Sequence, residues 1–252
     1  MKCIILCAGY ATRLYPLTRT TPKHLLQVKD RAILDYVLEK LPLDEIDEIF
    51  VVTNEKFHQK FVDWKDSMTE YYPITILNDH TTSNEDRLGS IGDVNYVINK
   101  MGIDDDFILM SGDNLFNFSI DPMLELFNEG KNIVALYDVK SKEEARKMGI
   151  PTLNRNGKII ELEEKPAHPK STLVSIGIYL FQRNVINLLK QYIESGMSPD
   201  KVGDFIAWLC QKTDIFTYNY DSEDDIWLDI GTTSQLKLAS KIYREKLSVY
   251  SE

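Results

Sequence analysis

Five charged side chains in this sequence have neighbours that suit phosphate chemistry: Arg13, Lys23, Asp113, Lys165 and Asp229. The two that come first lie ten residues apart, in and just after the loop Ala8-Gly9-Tyr10-Ala11-Thr12-Arg13-Leu14-Tyr15-Pro16-Leu17-Thr18, with Lys23 following Pro22. Small residues let backbone N–H groups approach a polyphosphate, and cations supply charge for oxygens that the amides do not neutralise. From Arg13 to Lys29 the chain carries Arg13, Arg19, Lys23 and Lys29 with no acid among them. That local basicity suits a small anionic ligand, and the loop reads as one that holds a nucleotide. It is not a P-loop, which needs Gly-x-x-x-x-Gly-Lys-Ser/Thr, nor a dinucleotide fingerprint, since only Gly9 of Gly-x-Gly-x-x-Gly is present.

The two acids each close an apolar run beside a glycine, in Phe107–Met110 followed by Ser111-Gly112-Asp113-Asn114, and in Ile226-Trp227-Leu228-Asp229-Ile230-Gly231-Thr232. Either aspartate alone reads more readily as a turn or cap residue. Together with Arg13 and Lys23 they suit Mg²⁺, which binds through one or two carboxylates plus substrate phosphates. Lys165 lies in Glu163-Glu164-Lys165-Pro166, where Pro166 ends a strand and fixes the lysine at its end. In Ser175-Ile176-Gly177-Ile178-Tyr179, Gly177 leaves room for backbone to run along a ligand.

These side chains need a scaffold that brings them together. Short apolar runs at Cys3–Cys7, Ile49–Thr53, Ile74–Leu77 and Phe107–Met110 alternate with helical periodicities, one through Ile33, Leu34, Val37, Leu38 and Leu41 and another through Val94, Val97, Ile98 and Met101. Such alternation implies a mainly parallel layered sheet, with ligands at its C-terminal strand edge. In the second half Ile150–Leu153 and Lys158–Glu163 flank Asn156-Gly157, a hairpin signal that allows positive φ at both turn positions. Strands are expected at Leu173–Phe181 and Ile215–Tyr220, and helices at Val185–Ile193 and Leu236–Leu247. No linker or repeat interrupts the chain, and one domain over residues 1–252 is the expectation.

Composition narrows the partners. A formal charge of −10 over 252 residues argues against general nucleic-acid binding or attachment to an anionic membrane. Cys3, Cys7 and Cys210 have no metal-ligand spacing, and an odd count without a framework fits a reducing, cytoplasmic setting. His24, His58, His80 and His168 are expected in loops or on the surface.

The order of Ala8–Thr18, Pro22-Lys23, Leu88-Gly89-Ser90-Ile91-Gly92, Gly112-Asp113, Glu164-Lys165-Pro166, Gly177-Ile178-Tyr179 and Trp227–Thr232 resembles that of sugar-1-phosphate nucleotidylyltransferases, glucose-1-phosphate thymidylyl- and uridylyltransferases in particular. The resemblance runs from the first strand to the last helix. It implies a three-layer, Rossmann-like α/β fold with a mixed central sheet. It also implies that Gly9 and its neighbours Ala8, Tyr10 and Thr12 bind the nucleotide, with Arg13 on the β- and γ-phosphates, Lys23 near the reacting phosphates and Gly89 along the base pocket. Asp113 and Asp229 would hold Mg²⁺. Gly149, Glu164, Ser175 and Gly177 would line the sugar site, and Lys165 would bind the phosphate of the sugar phosphate.

The implied reaction joins a nucleoside triphosphate, UTP or dTTP, to a sugar-1-phosphate such as glucose-1-phosphate, releasing pyrophosphate. No base is needed, because the attacking phosphate is already ionised. Departures fall in the specificity pockets: Tyr10 and Ala11 replace loop glycines, Ser175 an asparagine, Met148 an aromatic, and Thr81–Arg87 differs from the base-recognition loop of the thymidylyl enzymes. Tyr10 is expected either to shape a base pocket or to pack beneath the loop. A cytidylyltransferase acting on phosphocholine, a non-catalytic nucleotide-sugar-binding subunit and a glycosyltransferase are the competing readings, and homo-oligomerisation is left open.

Overall fold

The computed structural model describes residues 1–248. Its strands are β1 (Lys2–Leu6), β2 (Gln27–Val28), β3 (Arg31–Ala32), β4 (Glu48–Thr53), β5 (Ile74–Asn78), β6 (Phe107–Ser111), β7 (Asn114–Phe116), β8 (Asn132–Asp138), β9 (Gly149–Leu153), β10 (Ile159–Glu164), β11 (Leu173–Phe181), β12 (Ile215–Tyr220) and β13 (Trp227–Asp229). Its helices are α1 (Ile33–Leu38), α2 (His58–Asp66), α3 (Ser90–Met101), α4 (Asp121–Asn128), α5 (Lys142–Ala145), α6 (Val185–Glu194), α7 (Val202–Leu209) and α8 (Thr233–Ser248).

Seven strands form one sheet in the order β12-β8-β11-β6-β1-β4-β5. The pairs β1·β4, β1·β6, β4·β5 and β12·β8 are parallel, while β11 runs antiparallel to both neighbours, β6 and β8. The sheet is therefore mixed, as the resemblance implies. Because successive strand residues point to opposite faces, each strand feeds two layers. Cys3 and Ile5, Ile49 and Val51, Ile108 and Met110 pack with Leu34 of α1, Phe61 of α2 and Phe127 of α4. Ile4, Phe50, Val52, Phe107 and Leu109 pack instead with Val94 of α3, Leu189 of α6 and Phe205 of α7.

Two details differ from expectation. Strand β8 is not among the strands expected from the sequence, although it is an apolar run buried on both faces like β1 and β6. In the β9–β10 hairpin only Gly157 has positive φ, at 74°, and Asn156 does not. Gly157 donates to the Asn154 carbonyl at 3.2 Å, while the Asn154 side chain accepts from the amides of Asn156 and Lys158. Asn154 therefore organises the turn, with the glycine supplying its single left-handed residue.

A third apolar cluster does most to position the chemistry. Leu14 of the first loop, Val28 of β2, Ile33 of α1, Leu115 of β7, Ile230 after β13 and Ala239 of α8 are all buried together. β13 lies antiparallel to β7 with Asp229 opposite Asn114, so two acid-bearing segments far apart in sequence end side by side. Leu14 carries the loop, and with it Arg13, onto that ladder. Leu14→Ala is expected to cost about 2–5 kcal/mol, as for other buried leucines. A urea midpoint within error of the parent would show that the cluster does not anchor the loop.

Candidate active site

The first loop leaves β1 at the C-terminal edge of the sheet. Cys7 donates its amide to Val52 at 2.9 Å, and the buried Asn54 side chain donates to the Ala8 carbonyl at 2.7 Å. Beyond Gly9 the chain turns at Ala11, whose φ of 47° is left-handed, with the Thr18 hydroxyl donating to its carbonyl. Thr12–Leu14 is a single 3-10 turn rather than the start of an α-helix. The loop can therefore offer its own amides and Arg13 to a phosphate, without a helix dipole behind them. A Cβ built on Gly9 would meet nothing within 4 Å. Packing thus places no demand on that glycine, and its missing side chain leaves the cleft above it open.

Lys23 sits in the 3-10 turn Lys23–Leu25 and is only 8% exposed. Its Nζ lies 2.5 Å from Asp113 Oδ2 and 3.7 Å from Asp229 Oδ1. Burial alone would lower the lysine, but the charges of Asp113 and Asp229 outweigh it and hold the ammonium above its ordinary pKa. Burial likewise pushes Asp113 up, yet the Lys23 charge wins and keeps it below the usual carboxylate range. For Asp229 burial and the neighbouring Asp113 prevail over Lys23 and Arg13, and its pKa is raised. The guanidinium of Arg13 approaches from the other side, with Nη2 3.9 Å from the position a Cβ on Gly231 would take.

The two carboxylates remain partly open to the cleft and already hold a cation, the Lys23 ammonium, between them. Two hard oxygen donors with room for phosphates and water make a donor set that fits a divalent ion such as Mg²⁺. Among the described residues no group of three or more His, Cys, Asp or Glu is arranged to hold a metal.

Two clefts meet at Asp113. One is lined by Ala8, Gly9, Tyr10, Thr12, Arg13 and Gly89, with Asp79, Asp93 and Asp200. The other is lined by Gly149, Glu164, Lys165, Ser175 and Gly177, with Asp229. Ser90 and Ser111 border both. Every expected nucleotide-site residue except the buried Lys23 thus borders the first cleft, and every expected sugar-site residue borders the second.

Several details change the reasons for individual residues. Tyr10 is buried, with its hydroxyl 3.2 Å from Thr81 Oγ1, so it packs beneath the loop rather than shaping the pocket as an open aromatic face. Gly89 has φ 82°, and a Cβ there would fall 2.6 Å from Asp200 Cα, so it is the 199–200 segment that requires glycine. Gly177, also left-handed, faces Ser111 Oγ at 2.6 Å from a built Cβ; it is required by packing in the β11 bulge. The Ser175 hydroxyl already donates to Tyr179 at 3.2 Å. His24 is a correction to the surface expectation. It is 4% exposed, its Nδ1 has no partner, and burial lowers its pKa to about 4, so it is a neutral ring beneath the site. His58 opens α2 with its Nδ1 buried, while His80 and His168 are exposed.

The second cleft contains residues that the sequence did not single out: Lys147, Lys201 and Gly203. Gly203, in the first turn of α7, is the most informative. A Cβ there would lie 2.0 Å from Glu164 Oε2, and one on Gly149 would lie 3.2 Å from the same atom. The Glu164 carboxylate is thus wedged between two glycines, and burial raises its pKa against the pull of Lys165 and Lys201. Lys165 itself is half exposed, with Nζ 3.8 Å from Glu164 Oε1 and its backbone in the left-handed region at φ 52°.

The chain matches the nucleotidyl transferase family over residues 2–246. It is 28% identical to bifunctional protein GlmU of Methanocaldococcus jannaschii, over 98% of this chain and 55% of that protein. It is 29% identical to UTP–glucose-1-phosphate uridylyltransferase of Synechocystis, over 92% of this chain and 60% of that protein. The chain therefore spans little more than half the length of these relatives. A crystal structure from Bacillus anthracis, provisionally named a glucose-1-phosphate thymidylyltransferase and bound to sucrose, superposes with a TM-score of 0.84 at 27% identity, covering 97% of this chain and 95% of that one. UDP-glucose pyrophosphorylase bound to UDP-glucose shares the fold with a TM-score of 0.80 at 21% identity, covering 97% and 98%. With the family match running over nearly the whole chain, from residue 2 to residue 246, the chain belongs to the nucleotidyl transferase family.

Proposed function

We propose that this chain joins a nucleoside triphosphate to a sugar-1-phosphate, giving a nucleoside diphosphate sugar and pyrophosphate. The observation that carries this reading is the meeting of two clefts at Asp113, with Asp229 in the second cleft and the Lys23 ammonium paired to both acids behind them. A single-substrate binding protein has no need of the second cleft.

An oxygen of the sugar phosphate attacks the α-phosphorus in line, a P–O bond forms, and the bond from the α-phosphorus to the bridging oxygen breaks as pyrophosphate departs. No proton moves, because the nucleophile is already ionised. Repulsion between two polyanions is the main obstacle, so positioned cations carry the catalysis. Arg13, at the loop end of the first cleft, stabilises charge on the leaving pyrophosphate. Lys23 is held charged at the junction, where the reacting phosphates meet. Lys165 binds the acceptor phosphate, and Glu164, locked between Gly149 and Gly203, accepts hydrogen bonds from sugar hydroxyls. Asp113 and Asp229 are the residues that would hold Mg²⁺, whose charge would offset that of the phosphates. Glucose-1-phosphate is the acceptor that the names of the Synechocystis and Bacillus anthracis relatives support. Those names also favour UTP or dTTP.

The direct test is a panel of triphosphates against glucose-1-phosphate, other sugar-1-phosphates and phosphocholine. Pyrophosphate release is expected only with triphosphate and sugar-1-phosphate together. It should stop with EDTA and return with Mg²⁺. Release with phosphocholine alone would instead establish the cytidylyltransferase reading. Arg13→Ala is expected to lower kcat by about 10²–10³-fold, the loss seen when one charge-stabilising donor is removed. Arg13 is exposed, so its urea midpoint should not move, and near-parental turnover would refute its role. Gly203→Ala must displace Glu164 and should lower kcat/KM for the acceptor by about 10–100-fold, since misplacement by about 1 Å can cost that much. The KM for the triphosphate should stay unchanged; an equal rise in both would remove Glu164 from the acceptor site.

A further inference from the structure

One part of the first cleft is not used by phosphate chemistry. Beyond Gly9 and Arg13 it is walled by Tyr10, Asp79, Gly89 and Asp93. Asp79 follows β5 and Asp93 lies in the first turn of α3, and each is only 6% exposed. Their carboxyls lie close enough for each to shift the other's protonation. Asp93 Oδ1 is buried and, its approach to Asp79 aside, makes no hydrogen bond. Leaving an acceptor buried and unpaired is costly, and such atoms mark places where something else binds.

The donors around this pair are already engaged. Thr81 gives both its amide and its hydroxyl to Asp79, at 2.7 and 2.8 Å, which leaves the Tyr10 hydroxyl to donate to Thr81 Oγ1. The amides of Ser90, Ile91 and Gly92, which open α3, donate to the carbonyls of Asp200 and Pro199. Arg87 is bound to Asp200 and to the Asn84 carbonyl. Next to Asp79 and Asp93 the wall therefore presents mainly carboxyl oxygens, with the Asn84 side chain and the Ser90 hydroxyl as donors elsewhere along the cleft. Burial, and then the neighbouring Asp79, push Asp93 up to about 8, so the pair keeps one proton between them at neutral pH.

Resting on the nucleotidylyl-transfer reading, we propose that Asp79 and Asp93 read the nucleobase and select a triphosphate whose base carries an exocyclic amino group over UTP and dTTP. Guanine, adenine and cytosine each present an N–H₂ donor, whereas uracil and thymine present carbonyl oxygens on both sides of a single N–H. Against an acceptor-rich wall those carbonyls would face oxygen atoms. Sites that hydrogen-bond a substrate group discriminate strongly, because a mismatched ligand leaves buried polar atoms unpaired.

The test uses the whole chain and five probes, GTP, ATP, CTP, UTP and dTTP. Binding is read by thermal shift and calorimetry, and pyrophosphate release is measured with a sugar-1-phosphate. Reading the base by binding separates this proposal from the activity. A chain that binds an amino-bearing triphosphate selectively but releases nothing would sink the transferase reading and leave the base reading standing. At least one amino-bearing triphosphate is expected to bind more tightly than UTP and dTTP by about tenfold or more. In Asp79→Asn and Asp93→Asn, where a carboxamide N–H₂ replaces an oxygen, that ratio should fall by about tenfold, with UTP gaining in absolute affinity. Equal or tighter binding of UTP or dTTP to the parent chain would overturn the proposal. So would an unchanged ratio in folded Asp93→Asn.

Discussion

Lys23 brings a positive charge into a site where little of it reaches water, and the carboxylates of Asp113 and Asp229 make that position tenable. Removing one partner of a buried ion pair leaves a charge without compensation, commonly at about 3–5 kcal/mol. The same arrangement keeps two acids close together, which neither would accept without a cation nearby. Phosphate chemistry exploits that balance: a place where anions and cations are already held at short range is ready for a polyanion and a divalent ion.

That cluster exists only because three separate segments converge. The loop after β1 is pinned through Leu14, the β7–β13 ladder sets Asp229 opposite Asn114, and α8 contributes Ala239 to the same apolar cluster. Burial of these side chains is what fixes the distance from Lys23 to the acids. The charged groups do not assemble themselves; they are carried to one another by residues that have no chemistry of their own.

Glycines divide into two kinds around the clefts. At Gly89, Gly177 and Gly203 a Cβ would collide with protein atoms, so the fold itself excludes a side chain. At Gly9 nothing protein would be touched, and the space is left over the phosphate end of the first cleft. The first kind shapes the walls and the second leaves room within them. Glu164 shows the consequence most clearly, since its carboxylate is oriented by the absence of side chains on both sides of it.

Local pattern was enough to read most strands, the parallel first half and the loop with its two cations, because buried strands and helix faces leave short-range periodicities in the sequence. The order of the motifs named the fold and the residues that border each cleft. Strand β8 went unread although its apolar run resembles those of β1 and β6, and the Asn156-Gly157 signal located the β9–β10 hairpin while the side chain of Asn154, a neighbour outside the dipeptide, decides the turn's shape. The burial of His24, the wedge of Gly203 against Glu164 and the carboxyl pair of Asp79 with Asp93 had no sequence signal. Each is a contact between segments distant along the chain. Residue types and local spacing determined what chemistry was available, while only tertiary packing decided which groups would share a proton, a cation or a wall, because those depend on distances that no local period encodes.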